Sequence, residues 1–99
     1  MRTASQALYD LGITFPTLVE ELERVGRDGE TVQALVDYAR SPRVGSGGLA
    51  AARFLLALYN PAIGRRDPEL AFELGQAICC WDAAHREAFA AWAQDPYVL

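Results

Sequence analysis

Few residues of this chain have types and spacings suited to chemistry. His85 is the only histidine, Cys79 and Cys80 are the only cysteines, and Asp82 stands three residues before His85. An aspartate and a histidine one helical turn apart could supply half of a metal site, and a nearby thiol could serve the imidazole as a nucleophile. A structural zinc site takes about four Cys or His ligands. This chain has three such residues, two of them neighbours that cannot converge easily. Covalent catalysis needs a positioned base, an activated nucleophile and an oxyanion stabiliser, and only fragments of that set are legible. The expectation is therefore no enzyme, no metal and no cofactor, with His85 a half-buried residue at a helix cap. Consecutive side chains on a helix diverge by about 100°, so a Cys79–Cys80 disulfide would be strained and both thiols are expected to be reduced.

Ser46-Gly47-Gly48 ahead of a helix could cradle an anion at the positive end of the helix dipole. A phosphate loop proper needs a Gly-Lys-Ser/Thr ending after a strand, and none of the nine basic residues is a lysine. Arg40, Arg43, Arg65 and Arg66 flank the segments that join helices and could form a basic patch for phosphates. The segment after Arg43-to-Gly48 is too apolar to present polar side chains to base edges, as a recognition helix must. Those arginines are expected to pair with acids of neighbouring helices.

The net charge of −4 hides a segregation. Residues 1–37 hold Arg2, Arg24 and Arg27 against Asp10, Glu20, Glu21, Glu23, Asp28, Glu30 and Asp37. Residues 38–66 hold five arginines and no acid, and residues 67–99 hold Arg86 against Asp67, Glu69, Glu73, Asp82, Glu87 and Asp95. Carboxylates at Glu20, Glu21 and Glu23, and at Asp67, Glu69 and Glu73, suit either a solvated helix face or a surface steered onto a basic partner. Near the end of the chain, Trp92, Tyr97 and Leu99 either close the core or, if Tyr97 to Leu99 is exposed, offer an aromatic anchor to a partner.

These residues depend on the elements that hold them. The stretch Gly48 to Tyr59 is apolar on nearly every face when wound as a helix, which marks a buried helix. Its one charge, Arg53, is expected to lay its stem along apolar neighbours and reach water. Thr3 with Gln6 forms a capping box for a first helix that Gly12 ends in a left-handed residue. Pro16 opens a second helix with Leu18, Val19, Leu22 and Val25 inward. Asp28 caps a third, about Glu30 to Arg40. Asn60-Pro61 stops the central helix, and Ala62 to Arg66 reads as a loop. Asp67-Pro68-Glu69 starts a helix with Leu70, Leu74, Ala77, Ile78 and Trp81 in one stripe. Asp82 re-caps the chain into a last helix ending near Gln94. No alternating β-branched run and no fixed repeat is present, so the fold expected is all-α. It is a single domain over residues 1–99, an orthogonal bundle of five or six short helices around a buried helix at about 48–59.

Ninety-nine residues with 52% apolar content suit one core. No apolar run approaches the roughly 20 residues of a membrane span, and the polar start lacks the apolar segment of a secretory signal. A cytoplasmic protein without membrane contact is expected. The exclusive use of arginine points to a GC-rich bacterial genome, or a phage or plasmid adapted to one.

Leu56-Ala57-Leu58-Tyr59-Asn60, then a capped Leu-rich helix and Trp81-Asp82, resembles an uncharacterised helical domain family of bacterial plasmids and mobile elements. Its members carry Leu-Ala-Trp-Trp-Asn before a Phe-Asp-Leu helix start. The resemblance covers about residues 31–94 and implies a helical fold and a mobile-element setting, with no chemistry attached. The function expected is protein–protein interaction, as an inhibitor or accessory of a basic nucleic-acid-handling complex. Small acidic helical phage proteins, anti-CRISPR proteins among them, act in that way. The alternative is a small nucleic-acid-binding regulator using Arg40, Arg43, Arg65 and Arg66. Self-association is open in either case.

Overall fold

In the computed structural model, described here for residues 2–97 and residue 99, the chain is all-α. Seven α-helices follow one another: α1 (Ala4–Gly12), α2 (Val19–Val25), α3 (Thr31–Ala39), α4 (Ser46–Tyr59), α5 (Ala62–Arg66), α6 (Leu74–Cys80) and α7 (Ala83–Gln94). Two 3-10 turns, Pro16–Leu18 and Pro68–Leu70, sit before α2 and α6. Among the described residues there is no strand, and no helix is long and apolar enough to cross a membrane.

The buried helix is α4. Gly48, Ala50, Ala51, Ala52, Phe54, Leu55 and Leu56 are all sequestered, and α1, α3, α5, α6 and the first 3-10 turn pack on it. Its small residues set how close the neighbours come. A Cβ built on Gly48 would run into the Tyr38 hydroxyl oxygen of α3, so the tyrosine ring can lie where it does only over a glycine. Toward its C-terminal half, Phe54 is ringed by Trp92, Phe72, Phe89 and Phe15 at centroid separations of 5.0, 5.3, 5.3 and 5.8 Å. Such tilted aromatic pairs contribute about 0.5–1.5 kcal/mol each beyond the area they bury.

Several local expectations change. Thr3 and Gln6 do form the capping box, at 3.1 and 2.9 Å. Gly12, by contrast, is not a left-handed terminator: the only positive-φ residue described is Gly26, in the turn after α2. Gly12 is instead a contact point, since a Cβ there would stand 2.5 Å from Leu22 Cδ1. Asp28 does not cap α3. It accepts from Gln6 Nε2 at 2.7 Å, and α3 starts after Glu30 without a side-chain cap. Residues 62–66, expected as loop, wind into α5 because Asn60 Oδ1 accepts from the Ala62 N–H. Asp67-Pro68 starts only a 3-10 turn, and extended backbone at Ala71 and Glu73 delays α6 to Leu74. The stripe therefore breaks: Leu70, Ala77 and Trp81 are buried, while Leu74 and Ile78 are 49% and 43% exposed. Arg53, half-buried, also takes a backbone partner that was not expected, with Nε donating to the Glu69 carbonyl at 2.7 Å in an exposed hydrogen bond.

Candidate functional site

A cleft of about 530 Å³ lies between α2 and α3. Its walls bring together Glu20 and Glu21 of α2 with Asp37 of α3, and Arg24 and Arg43 face the same space. The arrangement follows from the two amphipathic helices. Each turns its apolar residues, Leu22 and Leu35, into the core and so leaves its carboxylates on the outer side. Arg24 reaches Glu21 at 3.0 Å and Glu20 at 3.8 Å along its own helix. Tyr38 forms part of the wall, and burial raises its phenol above the ordinary range. Glu23 is exposed and faces away from the cleft lining.

At one end of this cleft stands Thr17, which leads to the histidine. Thr17 Oγ1 lies 2.8 Å from His85 Nε2, and His85 Nδ1 lies 2.7 Å from Asp82 Oδ1. The same Asp82 oxygen accepts the His85 backbone N–H at 3.0 Å, capping α7. That backbone donor, and next the imidazole, hold the Asp82 carboxyl below the usual carboxylate range. His85 is not half-buried as expected: 3% of it is exposed, against Phe15 with centroids 6.1 Å apart. A buried imidazole with both nitrogens engaged is a satisfied polar group, and its two partners join the first 3-10 turn to α7. Asp82, at 70% side-chain exposure, keeps its charge in water. Cys80, two residues before Asp82, makes no bond to the ring, and Cys79 and Cys80 are free thiols. Among the described residues no three His, Cys, Asp or Glu side chains converge as metal ligands.

The arginines are not gathered into one patch. Arg40 is bound to Asp67, which joins one expected anion ligand to one expected acidic contact and holds the Asp67 carboxyl below its usual range. Arg43 faces the α2–α3 cleft, whereas Arg65 lines a separate cleft beside Leu70 and Phe72. Arg66 is exposed at the end of α5. Ser46, Gly47 and Gly48 do not precede α4 but form its first turn, capped by Gly45, and the Gly47 carbonyl accepts from Trp81 Nε1 at 3.1 Å.

Of the remaining acids, Glu69 and Glu73 are exposed and make no ion pair among the described residues. Tyr97 is 39% exposed while its carbonyl accepts from Trp92 Nε1 at 3.0 Å. Leu99 packs on the core and donates its N–H to the Leu58 carbonyl, so the terminal residues divide between anchor and surface. Val98 lies outside the described residues.

Sequence reasoning missed Asp37 as a companion of Glu20 and Glu21, and Thr17 as a partner of His85. The outward position of Asp37 on α3 was a usable signal for the first. Nothing local signals the second, because the partners are 68 residues apart.

Fold and site together define a small all-α bundle with an interhelical cleft lined by charges of both signs and an Asp–His–Thr link. Comparison with protein-family models, with curated proteins and with solved structures finds no match to this chain.

Proposed function

We propose that this chain is a non-enzymatic interaction protein that meets a basic, nucleic-acid-handling complex through its carboxylates and acts there as an inhibitor, in the manner of anti-CRISPR proteins, or as an accessory. The observation that carries this reading is an excess of unpaired carboxylates on the surface. Arg2 and Arg27 are both spent on Asp10, Arg24 on Glu21, Arg40 on Asp67 and Arg53 on a backbone carbonyl. Glu23, Glu69 and Glu73 stay exposed with no such partner among the described residues. Arg43, Arg65, Arg66 and Arg86 also make no ion pair among the described residues, but the unpaired carboxylates outnumber them, and the net charge of −4 leaves a negative field that speeds encounter with a basic surface and repels nucleic acid. A cytoplasmic setting in a bacterium, phage or plasmid belongs to the same proposal. It rests on the arginine-only usage and on the resemblance to the mobile-element family.

The test is charge reversal. Glu20→Lys, Glu21→Lys and Glu23→Lys together sit on an outer helix face, so the helical circular dichroism is expected to stay unchanged. A partner recovered from the native host with the unaltered chain is expected to be lost from the reversed one. Retention of that partner would remove the electrostatic reading. The nucleic-acid alternative has less support, since Arg40 is already occupied and Arg43 and Arg65 line different clefts. It requires binding that weakens steeply with salt as counterions are released.

A further inference from the structure

Helix α6 is held on one side only. Ala77 is its one fully buried residue, and its two large apolar side chains, Leu74 and Ile78, point outward one turn apart at about half exposure. A seven-residue helix has almost no stability of its own, so this element invites a cover over Leu74 and Ile78. The charge around it says which cover fits. From Asp67 to His85 the chain carries Asp67, Glu69, Glu73 and Asp82 and no arginine or lysine; the next cation is Arg86, exposed one turn after Asp82, which leaves Glu73 as the acid without a basic neighbour in the sequence. The arginines that reach this segment, Arg40 and Arg53, are taken by Asp67 and by the Glu69 carbonyl. Glu73 stands immediately before α6, and Asp82 two residues after it.

We infer that the Leu74–Ile78 face of α6 is a docking surface for a basic amphipathic helix of a partner protein. The partner's apolar side chains would cover Leu74 and Ile78, and its lysines or arginines would face Glu73 and Asp82. Helix-in-groove recognition reads such i, i+4 anchors, and opposite charge at the rim sets the choice of partner. A second copy of this chain does not fit. Pairing α6 with α6 sets Glu73 and Asp82 of one copy against the same acids of the other, a like-charge juxtaposition that a basic helix does not meet. The inference rests on the interaction-protein reading and adds to it a contact separate from the α2 acids.

The probe is a synthetic helix-forming peptide of about 20 leucines and lysines, with leucines on one face, and a leucine–glutamate counterpart. Cys79, exposed beside Ile78, reports occupancy through its rate of alkylation by a maleimide. The lysine peptide is expected to bind the full chain and slow Cys79 alkylation by about tenfold or more, while the glutamate peptide does neither. Leu74→Ser with Ile78→Ser replaces only outward side chains, and it is expected to weaken binding by about tenfold or more with the fold retained. The triple α2 charge reversal is expected to leave Cys79 protection in place. No binding of the lysine peptide overturns the inference. So does equal binding by the Leu74/Ile78 variant, and if the α2 reversal then abolishes binding, the inference falls while the electrostatic reading stands. A dimer in sedimentation that the Leu74/Ile78 variant dissolves also overturns it, with a second copy as the occupant.

Discussion

His85 is buried between two elements, and its two hydrogen-bond partners make it a strut. With Thr17 at 2.8 Å and Asp82 at 2.7 Å, it ties the chain before α2 to the start of α7. Thr17→Val leaves a buried imidazole nitrogen without a partner, which costs about 1–3 kcal/mol. In urea denaturation Thr17→Val and His85→Ala are expected to couple by about 0.5–3 kcal/mol in a double-mutant cycle, and strict additivity would show that the link carries no stability. Thr31 is the opposite case: its hydroxyl is buried with no hydrogen-bond partner among the described residues. Thr31→Val is therefore expected to raise the urea midpoint, because it removes a desolvated polar atom without removing a bond. The Asp82 cap was legible in the sequence, since cap residues act on backbone a few positions away. The Thr17 contact was not, because a lone hydroxyl carries no pattern that points across the fold.

Among the helices, α4 sets the packing, and α3 approaches it closely. Gly48 lets the Tyr38 ring lie where a methyl group would stand. Gly48→Ala should gain helix propensity of about 1 kcal/mol but lose more to overpacking, giving a net destabilisation of roughly 1–2 kcal/mol by chemical denaturation. Tyr38→Phe, which removes the closest atom, is expected to restore much of that loss; no rescue would place the strain elsewhere. The burial of α4 was readable because a helix apolar on all faces has no other stable place in water. The start of α6 was misread for an equally physical reason. Asp67-Pro68-Glu69 is a strong local signal for one turn, but it contains nothing that forces a second. Tertiary packing of Leu70 and Phe72 then pulls the backbone straight before Leu74.

On the scale of the whole molecule, 35 × 30 × 26 Å across, charge is arranged so that acids outlast their partners. Asp10 is held below the usual carboxylate range chiefly by Arg27, Asp67 by Arg40, and Asp82 by the His85 backbone. A carboxylate with a depressed folded pKa contributes stability that is present above its unfolded value, about 3.9, and is lost as pH falls through the lower folded value. The urea midpoint is therefore expected to be flat near neutrality and to drop below about pH 4. These three groups are solvated, so added salt should blunt the drop. A midpoint that rises on acidification would contradict the sign of all three shifts. The segregation of charge along the chain was plain from sequence, whereas the pairing of Arg40 with Asp67 was not, since it depends on where α3 ends relative to the turn before α6.

The buried α4 is the fixed interior of the bundle, which confines recognition to the outer helices and their loops. Amide hydrogen exchange resolved along the chain tests this most directly. The α4 amides, above all those of Ala51 to Leu56, are expected to exchange slowest and only through global unfolding, with α5 and α6 opening first. Exchange in α4 as fast as in α6 would show that the central helix is open to water, and the bundle described here would be contradicted.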